Sequence, residues 1–383
     1  MQSIQINADQ TVTFRLRAPE AKTVQLHCDG IHDAAFAKNA DGVWTFITAP
    51  LAPDVYHYVY VVDGVRTIDP GNPHIVSNLF GAENELVVPT PLSPSGAPPQ
   101  VWELADVPRG TLARHFFKSG ISGEESGFVV YTPPGYDPAD PAKRYPVLYL
   151  LHGFFGDATS WTNGGRAHVI LDNLAAAGKV RPMIVVMPHG YGTLEVVRAG
   201  WGGLDDRELN RQLWRRNYSD FDSILFGEII PRVESAYRTT TERADRAIAG
   251  LSMGGTQSLD IGFRHVDSFT WIGAFSCGGL PTDFDAAYPT YGETTASRLR
   301  LLWLASGREN DTLASTDALA AWLKAKTPDT PLRVIVTDYG HTFRNWRRNL
   351  ADFAPLLFQE SRKSILQKRK NEVERIRAKP FNQ

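Results

Sequence analysis

Between residues 11 and 89, apolar and polar positions alternate in short runs at 11–16, 23–27, 43–46 and 56–61, separated by turn signals such as Asp41-Gly42 and Asp63-Gly64. A period of two is what a strand with one buried face requires, and Asp-Gly supplies the positive φ of a tight hairpin turn. Several such strands within about 80 residues predict a β-sandwich. Residues 89–99 carry Pro, Ser and Gly throughout. Proline cannot serve a central strand and stiffens an exposed connection, so a linker is expected there. The expected organisation is an immunoglobulin-like sandwich over 1–90 and a linker over 91–110.

Beyond the linker the pattern changes. Continuous apolar runs at 146–151, 183–187, 246–249, 270–275, 301–305 and 332–336 alternate with amphipathic stretches such as 168–177, 220–237 and 317–326. Strands apolar on both faces, interleaved with helices, predict a mainly parallel sheet covered on both sides. The expected fold class is therefore α/β over 111–360. Residues 189–219 carry Gly, Arg and Trp without clear periodicity and are expected to form a long loop of the kind that serves as a lid or an insertion. Residues 361–383 form a basic tail, read as a solvated terminal helix.

Composition narrows the function. Forty basic and 42 acidic side chains give a formal charge of -2, so no overall field holds the chain on nucleic acid or an anionic membrane. The apolar runs fall short of the roughly 18 residues a membrane helix needs. Cys28 and Cys277 cannot build a disulfide framework or a structural zinc site, and a free, buried pair is expected. No H-E-x-x-H, C-x-x-C or P-loop pattern occurs, so neither a metal nor another cofactor is expected. The first residues, Met1-Gln2-Ser3-Ile4-Gln5-Ile6, lack the basic and apolar regions of a secretion leader. The expected location is the cytoplasm if the chain is complete as given, and the periplasm or exterior if a leader was trimmed.

Chemistry enters at Gly250-Leu251-Ser252-Met253-Gly254, a G-x-S-x-G pattern between a strand-like run at 246–249 and a helix-like run at 256–263. That setting is the nucleophile elbow, in which glycines let a tight turn hold the serine in a strained conformation. A serine hydroxyl needs a base within hydrogen-bond reach. His341 follows the last apolar run, 89 residues after Ser252, and is the expected base. An orienting carboxylate belongs after the strand between them. Asp311 fits, with Glu309 as its rival, and its task is to hold the imidazole tautomer. The oxyanion donors are expected to be the amides of Met253, next to the nucleophile, and Phe154, in the Gly-flanked turn after 147–151.

The strings Tyr131-Thr132-Pro133-Pro134-Gly135-Tyr136, Leu150-Leu151-His152-Gly153, Met183-Ile184-Val185-Val186-Met187-Pro188, Ala249-Gly250-Leu251-Ser252-Met253-Gly254-Gly255 and Gly340-His341-Thr342 closely resemble the esterase D-like branch of the α/β-hydrolases. That branch includes feruloyl and acetyl-xylan esterases of carbohydrate esterase family 1, enterochelin esterases and mycolyltransferases. The resemblance covers roughly residues 110–358 and implies a Ser252, His341, Asp311 triad with the Phe154 and Met253 amides as oxyanion hole. The first ninety residues, around Trp44 and Asp69-Pro70, resemble the early-set module akin to family 48 carbohydrate-binding modules. Two departures stand out. Relatives carry the acid three residues after the glycine, whereas Asp311 is four after Gly307, which a one-residue insertion explains. Cys277 stands where relatives commonly have glycine, and no function follows from it.

The expected activity is a cofactor-independent serine esterase forming an acyl-enzyme. The resemblance points to a feruloyl ester on a plant cell-wall polysaccharide, with acetyl-xylan second. Trp161, Tyr191, Trp201 and Trp214 are the candidate groups to stack on a cinnamoyl ring or sugar, with packing as their other reading. A siderophore lactone is the alternative, with Arg198, Arg207, Arg211, Arg215 and Arg216 facing an anion. A different class, a carbohydrate-binding protein with an inert catalytic domain, would leave Ser252 unreactive. The expected partner is thus a small ester or a feruloylated or acetylated polysaccharide. Oligomeric state is not read from the sequence.

Overall fold

The computed structural model describes residues 2–31, 34, 36–91 and 98–359. The tail expected over 361–383, and residues 92–97 of the expected linker, lie outside them. In the N-terminal region a four-stranded antiparallel sheet orders Ile4–Ile6, Val12–Arg17, Val43–Ile47 and Ala37–Lys38. A second sheet orders Val24–Cys28, Asp54–Val62, Ala82–Val88 and Ile75–Ser77, with Val65–Thr67 also paired to Asp54–Val62. The turn between Asp54–Val62 and Val65–Thr67 puts Asp63 at φ 48° and Gly64 at φ 85°, the double positive φ that matches a hairpin to the twist of its strands. Alternation decides what faces inward: Val24, Leu26 and Cys28 are buried and Gln25 and His27 exposed. Phe14 and Leu16 of the first sheet share a core with Tyr56, Tyr58 and Tyr60 of the second.

The Asp54–Val62 strand is buried along most of its length because both of its faces are covered. Its tyrosines fill the N-terminal core, while Val55 packs into the core of the C-terminal region beside Trp161 and Trp346. The strand thus contributes to both cores.

The C-terminal region is built on an eight-stranded sheet in the order Thr111–Lys118, Glu125–Thr132, Ile184–Pro188, Val147–Leu151, Arg246–Leu251, Trp271–Phe275, Leu301–Gly307, Leu332–Thr337. The last five neighbours and Ile184–Pro188 run parallel, and the first two strands are antiparallel additions. Both faces are apolar. Tyr149, Ile248 and Leu302 belong to one core cluster, and Leu148, Ala247 and Trp303 to the other. Helices cover each face, among them Ala167–Ala176 and Phe343–Phe353 on the second.

One expectation is corrected, and two strands are added that the sequence pattern did not reveal. The stretch 189–219 is not a long loop: it contains the helix Glu195–Ala199 and most of the helix Arg207–Ile224. The second is capped by Asp206, whose side chain accepts from the Glu208 and Leu209 amides. Its buried stripe is only Leu213, Asn217, Phe221 and Ile224, too thin among arginines to show as periodicity. It runs on through a π-helical turn, Leu225–Ile229, into Ile230–Ala236. The strands Thr111–Lys118 and Glu125–Thr132 were not anticipated: the first is a half-exposed edge that never becomes an apolar run, while the second is buried at every position but its first.

A buried charge cluster ties the two regions together. Asp54 receives Arg347 Nη2 at 3.1 Å, Arg348 Nη1 at 2.8 Å and Arg344 Nε at 3.1 Å. Arg347 is fully buried and also donates to the Gly164 carbonyl at 2.7 Å. Burial works to raise the Asp54 carboxyl, but the charges of Arg347 and Arg348 outweigh it and hold it below the usual range. Removing one partner of such a cluster leaves charge stranded away from water, at about 3–5 kcal/mol. Asp54→Ala is therefore expected to reduce the unfolding free energy by that amount, read from denaturant titration, and to loosen the helix that starts two residues after His341. An unchanged midpoint would show that the cluster is not the anchor.

Candidate active site

Ser252 sits between the Arg246–Leu251 strand and the Met253–Arg264 helix at φ 52°, ψ −118°, a backbone conformation that costs of order 1–3 kcal/mol for a residue with a β-carbon. Its amide donates to the Phe275 carbonyl at 2.8 Å. The flanking glycines are there because the chain is crowded. A β-carbon on Gly250 would lie 2.5 Å from the Gly254 carbonyl, and one on Gly254 would lie 2.4 Å from the His152 carbonyl oxygen. The bend thus lifts the hydroxyl clear of the sheet.

His341 follows the Leu332–Thr337 strand and precedes the Phe343–Phe353 helix. Ser252 and His341 line one cavity of about 410 Å³. The Trp346 ring meets the imidazole edge-on at 4.9 Å. Packing around the ring disfavours the imidazolium and lowers its pKa below the ordinary histidine value, with the Asp311 charge acting in the opposite sense. A neutral imidazole is the form a general base requires.

The group behind the ring is not the expected one. Asp311 and Glu309 are both exposed, whereas Asn310 is buried, with Nδ2 3.1 Å and Oδ1 3.3 Å from His341 Nδ1. Asn310 Oδ1 also accepts from the backbone amide and the hydroxyl of Thr312, each at 3.0 Å. A backbone amide can only donate, so it identifies which atom of the Asn310 amide is oxygen. The Asn310 NH₂ then lies against the ring nitrogen that a carboxylate would hold protonated. The reason for the one-residue difference is local: the Gly307 carbonyl accepts from the Asn310 amide at 3.1 Å, closing a turn that aims residue 310 at the ring and residue 311 outward. The offset of three from Gly307 was visible in the chain; the acidic residue beside it masked it.

The amides of Phe154 and Met253 donate to no protein acceptor among the described residues. Phe155 adopts φ 62°, and its carbonyl accepts from the Leu79 amide of the N-terminal region at 2.8 Å. Phe80 packs on Phe155 with centroids 5.3 Å apart. Phe80, Phe154, Phe155 and Trp201 make an aromatic wall of the cavity, and His27, Asp29, His57, Arg66 and Glu83 from the N-terminal region make a polar one. Neither Phe80 nor the polar wall was anticipated, because nothing local marks these strand and turn positions near the N-terminus as lining a cavity beside Ser252.

Of the aromatic residues singled out as substrate contacts, Trp201 is exposed and lines the cavity. Trp161 does not: it is buried in the core, its indole N–H donating to the Leu151 carbonyl at 2.9 Å. Tyr191 is likewise buried, against His152 and His189. Trp214 is half-buried by packing on Phe154, centroids 5.0 Å apart. Arg198, Arg211 and Arg216 pair with Glu124, Glu208 and Asp220, and none of the five arginines singled out lines the cavity. Cys277 is buried beneath the elbow, and burial pushes its thiol up to about 12, far from a reactive thiolate.

A parallel sheet covered on both faces, with a serine on a strained strand-to-helix bend and a histidine beyond the last strand, defines an α/β-hydrolase. The Esterase family, described as "Putative esterase", matches residues 119–364, and the chain belongs to that family. It is 31% identical over 366 residues to an endo-1,4-beta-xylanase/feruloyl esterase of Xylanibacter ruminicola, a match that covers 92% of this chain and 46% of that protein. The chain thus spans about half the length of that relative. Among solved structures, the enterochelin esterase of Shigella flexneri superposes with a TM-score of 0.66 at 18% identity, covering 93% of this chain and 95% of that one. The CE1 ferulic acid esterase of Anaeromyces mucronatus gives 0.55 at 21%, covering 67% and 93%. Both likenesses concern the fold.

Proposed function

We propose that this protein is a serine carboxylic-ester hydrolase acting through an acyl-enzyme, and that its substrates are aromatic acyl esters of plant cell-wall polysaccharide, feruloyl-arabinoxylan first. In this reading Ser252 Oγ attacks the ester carbonyl while His341 Nε2, in the tautomer that carries the ring proton on Nδ1, takes the hydroxyl proton. The tetrahedral oxyanion is held by the Phe154 and Met253 amides. The imidazolium gives its proton to the departing alcohol, and water activated by the same ring then releases the acid. Asn310 positions the ring. The N-terminal sheets are proposed to be an immunoglobulin-like module of the early-set type, ending near residue 90.

One observation carries the reading: a single cavity is lined by a serine on a strained bend, a histidine, Phe154 and three further aromatic rings, with the amides of Phe154 and of Met253, the residue after the serine, unpartnered among the described residues. The aromatic wall favours a cinnamoyl over an acetyl group, which is too small to use it. The name of the Xylanibacter relative points the same way. The polar wall, with two carboxylates, disfavours the polyanionic catecholate lactone. Labelling with a fluorophosphonate probe tests the nucleophile, and Ser252 is expected to be the modified residue. Failure to label would remove every esterase reading and leave a binding protein. Turnover of methyl ferulate, p-nitrophenyl acetate and a catecholate lactone then orders the acyl groups, with methyl ferulate expected first.

A further inference from the structure

We infer that Asp29, His57 and Glu83 of the N-terminal region form the binding site for the alcohol half of the ester, a neutral sugar recognised through its hydroxyl groups. The inference rests on the esterase reading and adds to it which wall of the cavity reads the leaving group.

The polar groups of these residues are only partly used by the fold. His57 lies on the face of the Asp54–Val62 strand opposite the N-terminal core, 8% exposed, with its ring on the cavity and its Nε2 without a hydrogen-bond partner among the described residues. Its Nδ1 is 4.0 Å from Glu83. Burial, and then the Arg347 and Arg166 charges, lower its pKa to about 3, so it stays a neutral group with one donor and one acceptor. The hydrogen bond found for the Asp29 carboxylate among the described residues is a long one, 3.4 Å from the His57 amide. Burial and then Glu83 raise the Asp29 carboxyl to about 6. Glu83 is fixed by Arg66 at 2.7 Å, which also presents guanidinium donors to the same cavity. Holding an imidazole and a carboxyl largely out of water with so little hydrogen bonding costs free energy. A strand face meant only to seal an interface would carry aliphatic residues, as Val55 does.

Geometry and chemistry assign the alcohol to this wall. The leaving oxygen takes its proton from His341, so the alcohol departs on the His341 side. Phe343, two residues beyond His341, lies against His57 with ring centroids 6.0 Å apart. The aromatic rings of Phe80, Phe155 and Trp201 cluster instead around Phe154, whose amide is the proposed oxyanion donor. Carboxylates accept from adjacent hydroxyls, and a guanidinium and an imidazole donate to them. That combination suits a vicinal diol and repels an anion.

The test compares the full-length protein with Asp29→Asn and Glu83→Gln, both isosteric, on two ester pairs: feruloyl-arabinose with methyl ferulate, and acetylated xylobiose with p-nitrophenyl acetate. Losing a hydrogen bond to a charged group is expected to lower kcat/KM about 10–100-fold on the sugar ester of whichever pair is turned over. The simple ester of that pair should stay within about twofold. Thermal midpoints confirm that the variants fold. Equal losses on both members of a pair, no loss on either, or no turnover of either sugar ester would overturn the inference. In all three cases hydrolysis of a simple ester leaves the serine-esterase reading standing. Loss of fluorophosphonate labelling in the unsubstituted protein is a separate result that removes both.

Discussion

Replacing Ser252 with alanine is expected to cut turnover of every ester the protein hydrolyses by about 10⁴–10⁶-fold. The expectation follows from how little else in the cavity can attack a carbonyl. Cys277 beneath the bend is sealed away, with its thiol pushed up to about 12. The hydroxyl of Ser252 is displayed at φ 52° on a bend that the glycines on either side make possible. Alanine keeps the β-carbon and hence the strained bend, so the change isolates the hydroxyl. The residual rate should come from the two amides and from binding alone. Single-turnover measurements on methyl ferulate and p-nitrophenyl acetate check this, with loss of the acyl-enzyme burst as the accompanying sign. Activity retained above about 1% of the starting value would assign the nucleophile elsewhere.

The second large effect runs upward. Asn310→Asp is expected to raise kcat/KM at least tenfold, with a ceiling of about 10⁴, the factor by which the reverse change costs a serine protease through the wrong imidazole tautomer. Thr312 donates its backbone amide to Asn310 Oδ1 at 3.0 Å, which turns the Asn310 NH₂ toward His341 Nδ1 at 3.1 Å. That contact favours a proton on Nε2, where the base must accept one. A carboxylate at 310 would hold the proton on Nδ1 and stabilise the imidazolium that forms. The pH profile should move with it. Activity rises as His341 loses its proton, and burial places that step below the ordinary histidine value. A carboxylate stabilises the charged ring and raises its pKa, so the acid limb of the Asn310→Asp variant should shift to higher pH. Asp311→Asn, at an exposed site, is expected to change the rate less than about threefold. If instead Asp311→Asn costs about 10⁴ and Asn310→Asp brings nothing, the neighbouring carboxylate orients the ring.

The catalytic end of the sheet was legible because its signals are local. The strands at 147–151, 246–251, 271–275 and 301–307 are apolar on both faces, and that burial writes itself into consecutive residues. The bend at Ser252 needs glycine two positions either side, and the need comes from backbone crowding that no side chain can relieve. The Arg207–Ile224 helix was missed for the opposite reason. Its buried stripe is thin, and most of its surface is charged. Trp161, a candidate ligand contact or packing residue, is a core residue, since an indole serves both purposes and only its surroundings tell them apart.

By itself, the chain determined the alternation of strands and helices, the serine on its bend and the histidine past the last strand, because each rests on periodicity or backbone sterics over a few residues. Tertiary structure alone decided that the amide of Asn310, not the carboxylate of Asp311, meets the ring. A turn closed on Gly307 rotates one residue inward and its neighbour out, a choice of direction that composition does not encode. It also decided that His57, Asp29 and Glu83 of the first ninety residues stand in the same cavity as Ser252. That meeting depends on Asp54 being buried against three arginines nearly three hundred positions away, an attraction fixed by distance in space rather than along the chain.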